Sequence, residues 1–80
     1  MSEYAGKVDI RVIMPHQEKY RTVYKTFKSL NIGEKMELLN DHDFNPIFTY
    51  KFPDDFPGQY EWHYLEQGPE VWRVEVKKIK

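Results

Sequence analysis

Apolar and polar positions alternate over residues 7–13. Val8, Ile10 and Val12 lie on one side of the chain, Asp9 and Arg11 on the other. A period of two is that of a half-buried strand. Pro15 follows, placed to open a helix near its first turn. Beyond it the period changes: Tyr20, Val23, Tyr24, Phe27 and Leu30 recur at spacings of three and four, and Lys19, Arg21, Lys25 and Lys28 fill the other side. This pattern predicts an amphipathic helix of about four turns. Asn31-Ile32-Gly33-Glu34 closes it, with glycine supplying the positive φ of a turn.

Alternation returns over residues 35–40, with Met36 and Leu38 facing one way and Glu37 the other. Asp41-His42-Asp43 interrupts it. Asn45-Pro46 reads as a helix cap followed by proline in the first helical position, and the helix it opens, residues 46–52, should stop before Pro53. Phe56-Pro57-Gly58-Gln59 has proline and glycine at the centre of a type II turn. Two more alternating runs follow. Residues 59–66 put Tyr60, Trp62 and Tyr64 opposite Glu61 and His63; residues 70–79 put Trp72, Val74 and Val76 opposite Arg73, Glu75 and Lys77. Gln67-Gly68-Pro69 turns the chain between them.

The order is strand, helix, strand, helix, strand, strand. A helical crossover makes the first two strands parallel and right-handed, while the last two form a hairpin. Every strand has one apolar and one largely charged face. The expectation is an α+β fold, a two-layer α/β sandwich in which both helices cover one face of a mixed four-stranded sheet. The other face stays wet and carries Asp9, Arg11, Glu37, Glu61, His63, Arg73 and Glu75.

Eighty residues hold one core, so residues 7–80 are expected to form a single domain behind a flexible segment over 1–6. Aromatic residues, at 16% of the chain, supply the buried area that a short chain otherwise lacks. Twelve Lys and Arg against 13 Asp and Glu leave a net charge of −1, which gives no general drive toward nucleic acid or anionic membranes. No cysteine is present, so disulfide frameworks, thiol redox chemistry and cysteine zinc sites are excluded. No apolar run approaches the ~20 residues of a membrane span and no signal-peptide pattern opens the chain, so a cytoplasmic location away from membranes is expected.

The runs Leu30-Asn31-Ile32-Gly33-Glu34, Leu39-Asn40-Asp41-His42-Asp43 with Pro46, and Trp62 through Val74, including Gly68-Pro69-Glu70-Val71-Trp72-Arg73-Val74, resemble the bacterial domain-of-unknown-function family number 2249. The resemblance covers nearly the whole chain after Gly6. It implies no established activity, and only a loose link to nitrogen-oxide or redox metabolism. That family's pattern has an Arg-His pair early in the first helix, where this chain has Lys19-Tyr20. More distantly, the element order and the Gly33-Glu34 turn resemble the SirA/TusA-type sulfur carriers. Those carriers imply a sheet order of 1-2-4-3 with strand four antiparallel. Their reactive Cys-Pro is replaced here by Met14-Pro15, and a thioether cannot form a persulfide.

Ligands of open α/β sheets bind outside the carboxyl ends of the parallel strands. Three loops should meet there, and they supply His16, the cluster Asp41, His42 and Asp43, and the hairpin residues Glu66, Gly68 and Glu70. The aspartates have two readings, as caps on free helix N–H groups or as part of a ligand or partner site. A metal is the narrower version of the second, with His42 as its one candidate ligand and His16 or Glu66 needed to assist. His63 faces water or neighbouring carboxylates. Trp62 and Trp72 read as core, against the rival reading of a stacking platform for RNA. No phosphate-cradling loop, nucleophile elbow or zinc-protease pair occurs. The chain is therefore expected to be a non-enzymatic interaction or accessory domain with an unidentified protein partner and no cofactor. The alternative is a small-ligand or metal carrier using the Asp-His-Asp loop, and nucleic-acid binding is the weakest reading.

Overall fold

A computed structural model describes residues 3–80. Four strands, β1 (Gly6–Asp9), β2 (Lys35–Asn40), β3 (Tyr60–Gln67) and β4 (Trp72–Lys78), form one sheet in the order β1-β2-β4-β3. β1 and β2 are parallel, and β4 runs antiparallel to both of its neighbours. The helix α1 (Glu18–Ser29) crosses from β1 to β2. A π-type turn, Ile47–Lys51, continues into α2 (Phe52–Asp55) between β2 and β3. The architecture is the expected α+β sandwich with one antiparallel strand in a mixed sheet.

The core lies between the sheet and the helices. Val8, Met36, Leu38, Val74 and Val76 rise from the sheet to meet Val23, Phe27 and Leu30 of α1. All five phenylalanines are buried, and four of them, Phe44, Phe48, Phe52 and Phe56, stand four residues apart. An α-helix advances 3.6 residues per turn, so a stripe of period four would wander about 40° around it at each step. Widening the turn to i→i+5 hydrogen bonds slows that drift and keeps the stripe over the sheet. Phe48 stacks on Trp62 with ring centroids 4.1 Å apart and planes within 9°. The aromatic side of β3, partly buried, packs against the core.

Three local expectations are corrected. The first strand ends at Asp9, and Ile10–Val12 form a 3-10 turn whose Arg11 N–H is accepted by the Asp9 carboxylate at 3.2 Å. Ile10 stays buried, but Val12 is thrown outward and Arg11 leaves the sheet face. Second, α1 begins at Glu18, and the chain between Pro15 and Gln17 makes a separate turn closed by the Glu18 N–H on the Pro15 carbonyl. Third, the second helical stretch runs through Pro53 to Asp55. Proline is tolerated because it falls in the opening turn of the new i→i+4 register, where no N–H donor is needed. Asn45 is itself helical; its N–H is taken by Asp43, and its side chain accepts from the Thr49 hydroxyl. Within the segment expected to be flexible, two residues have partners in the sheet. The Ala5 N–H donates to the Lys35 carbonyl at 2.8 Å and the Tyr4 hydroxyl to Glu75 at 3.0 Å. Met1 and Ser2 lie outside the described residues.

The charged face is less wet than its pattern implies. Glu37 points away from the helices yet is 5% exposed. Arg73 donates to it at 2.6 Å and reaches Glu66 with its Nε at 3.2 Å, while Lys7 stands 3.6 Å away. Glu75, two residues along β4, gathers Tyr4, Lys35 at 3.5 Å and His63 at 3.5 Å. Long side chains thus fold down over the sheet and shield its carboxylates.

Candidate functional site

The carboxyl ends of β1 and β2 open onto a cleft of about 180 Å³. Its floor is apolar, built from Ile10 just after β1 and from Pro46 and Ile47 at the start of the π-type turn. Asn40, the last residue of β2, is buried there, and its side-chain oxygen accepts the Asp41 N–H at 2.9 Å. The walls are basic. His16 and Gln17 come from the turn before α1, Lys19 from the first turn of α1, His42 from the loop after β2, and Lys51 from the end of the π-type turn. No aspartate or glutamate lines the cleft.

Two of these groups are held from outside. His42 Nδ1 lies 2.7 Å from Asp41 Oδ1. A carboxylate has no proton to give, so the imidazole N–H is the donor and the ring is oriented by it. The same bond holds the Asp41 carboxyl below the usual carboxylate range. Lys51 Nζ sits 4.8 Å from the centroid of the Tyr20 ring, a cation–π contact that places the ammonium at the cleft. Tyr20 in turn donates to Asp55 at 2.6 Å. Burial, followed by that bond, raises the phenol's pKa and keeps it protonated.

The seven residues expected on one rim divide. His16 and His42 line the cleft, with Asp41 behind His42. Asp43 faces away: its Oδ1 accepts the Asn45 N–H at 3.1 Å and the Tyr64 hydroxyl at 2.5 Å, so it pins the loop to β3. Glu66 is engaged by Arg73 on the opposite sheet face. Gly68, at φ +57°, lies under the indole of Trp72, and Glu70 is exposed on the hairpin. The hairpin shares the sheet edge with the cleft but supplies none of its walls. Among the described residues no group of three or more His, Asp or Glu side chains is placed to hold a metal ion. Lys19, Tyr20 and Lys51 escaped the sequence reading, which placed all three inside helices. Their position at the first turn of α1 and at the end of the π-type turn is what brings them to the cleft.

Residues 7–78 match the family described as uncharacterized conserved protein (DUF2249), and the chain belongs to that family. No curated protein and no solved structure matches it. No helix among the described residues is long and apolar enough to cross a membrane.

Proposed function

We propose that this chain is a non-enzymatic accessory domain that binds a small molecule in the cleft at the carboxyl edge of β1 and β2. The observation that carries the reading is the cleft itself. An apolar floor and convergent polar walls meet where the parallel strands end, the usual ligand position in open α/β sheets. A binding role is favoured over catalysis because the hydroxyl that Tyr20 brings to the cleft is committed to Asp55, and among the described residues that line the cleft none is a serine or threonine that His42 could activate.

The test is an amide-resolved NMR screen of the whole chain against small fragments spanning neutral, cationic and anionic members. The expected result is shifts that cluster on residues 16–20 and 40–51, and that vanish in Ile47→Trp, whose indole fills the cleft. If no fragment of any charge perturbs those amides, or if Ile47→Trp binds as well as the parent chain, the cleft is not a ligand site.

A further inference from the structure

We infer that the ligand of this cleft is a compact organic anion, a carboxylate or phosphate joined to a small apolar body. The inference rests on the proposal that the cleft is a binding site, and it specifies the chemistry. In a chain of net charge −1, the cleft collects two lysines and two histidines and no carboxylate. Two ammonium groups brought to one cleft repel one another, an arrangement found where a ligand of opposite charge is to be held.

The two ammonium groups arrive from different helical segments, so a guest between Lys19 and Lys51 would be held from two sides. Lys51 is held by the Tyr20 ring, which reduces the rotamer freedom lost on binding. Asp41 draws on His42 from behind the wall, and its field also reaches Lys19. Its carboxylate is solvent-exposed and lies outside the cleft lining, where it offsets part of the cleft's positive field.

Size and polarity set the rest of the ligand. A cleft of about 180 Å³ is smaller than the ~300–1,000 Å³ of pockets that enclose drug-sized ligands, so the enclosed part of the guest is small. Ile10, Pro46 and Ile47 offer the guest no hydrogen-bonding side chain, so the part of the guest lying on them is apolar.

The experiment titrates the full chain with benzoate, phenyl phosphate and benzamide, reading amide shifts at 50 mM and 300 mM NaCl. Benzamide has the shape of benzoate without the charge. Benzoate and phenyl phosphate are expected to bind at least ten-fold more tightly than benzamide at low salt and to lose most of that advantage at high salt. Lys19→Gln/Lys51→Gln should reduce anion affinity at least ten-fold. Lys25→Gln, on an exposed part of α1 outside the cleft, should leave it unchanged. Equal binding of benzamide and benzoate at the cleft amides, or full anion affinity in the double lysine variant, overturns the assignment of charge while leaving the cleft as a binding site. Shifts from none of the three probes overturn the assignment as well. The fragment screen then decides whether the cleft binds anything else.

Discussion

Tyr64 and Asp43, 21 residues apart in sequence, meet in a hydrogen bond of 2.5 Å from phenol to carboxylate. That contact joins the loop after β2 to β3, two elements that are not neighbours in the sheet. Asp43 also accepts the Asn45 N–H, so one side chain both shapes the start of the second helical stretch and anchors it. A hydrogen bond to a charged group contributes roughly 1.5–3 kcal/mol, and the lower end applies because both partners are partly exposed. Asp43→Ala should cost about 1–2 kcal/mol and Tyr64→Phe about 1 kcal/mol. The double variant should cost clearly less than the sum, as coupled neighbours do. Denaturant unfolding of the four proteins measures this. Additive losses would show that the two side chains act separately, and a rise in melting temperature for Asp43→Ala would return that residue to the list of ligand groups.

The same bond predicts the alkaline limit of stability. Hydrogen bonding to Asp43, aided by burial, pushes the Tyr64 phenol up to about 12, and burial with a bond to Glu75 pushes Tyr4 up to about 12. An unfolded tyrosine titrates near 10. Between these values the folded chain holds protons that the unfolded chain has released, so stability falls as pH rises. The contribution is fully present below about pH 10 and is lost by about pH 12. Melting temperatures across pH 8–12 should decline over that window, with a shallower decline in Tyr64→Phe. An unchanged slope in the variant would place the alkaline loss elsewhere.

Strand pairing and the two-layer arrangement are legible because the period of two marks each strand, broken in β3 only between Tyr64 and Glu66, and because Val23, Phe27 and Leu30 mark one side of α1. What was not legible has identifiable causes. Val12 continues the alternation of Val8 and Ile10, but the Asp9 carboxylate captures the Arg11 N–H and bends the chain out of the sheet. Pro53 reads as a stop signal only if the helix before it keeps an α register, and the phenylalanines at 44, 48, 52 and 56 are the overlooked sign that it does not. His16 and His42 could be placed on the cleft from loop positions alone. Lys51 could not, since its place depends on the extra residue in the π-type turn, and Glu66 leaves the rim because the register shift after Tyr64 pairs it with Arg73.

Gly68 and Trp72 make a prediction about the hairpin. A Cβ at residue 68 would come within 2.8 Å of the indole, and its φ of +57° disfavours side chains. Trp72 is half-buried and meets Tyr64 edge-on at 6.1 Å. Gly68→Ala should therefore cost more in the parent chain than in a Trp72→Ala background, where only the left-handed backbone term of about 1–2 kcal/mol remains. Trp72→Ala should cost less than Phe27→Ala, a fully buried ring whose removal costs about 3–5 kcal/mol. Equal losses for Gly68→Ala in both backgrounds would mean that the indole does not press on the glycine.

Glu37 carries the last prediction. It is buried on the charged face, with Arg73 at 2.6 Å and Lys7 at 3.6 Å. Breaking a buried ion pair by removing one partner typically costs about 3–5 kcal/mol, because the remaining charge is left unpaired away from water. Arg73 is 37% exposed, and Lys7 stays near the carboxylate, so Arg73→Ala should cost less than that. The ion pair itself is a different matter. Removing both charges removes the desolvation penalty with them, and well-packed apolar pairs often match or exceed the original stability. Glu37→Leu/Arg73→Leu should therefore be more stable than Arg73→Ala and within about 1 kcal/mol of the parent chain. Urea unfolding of the two variants and the parent chain decides the point. If the apolar double variant is the least stable of them, the pair is a net source of stability, and the charges on this face cannot be read as shielded leftovers of an otherwise open sheet.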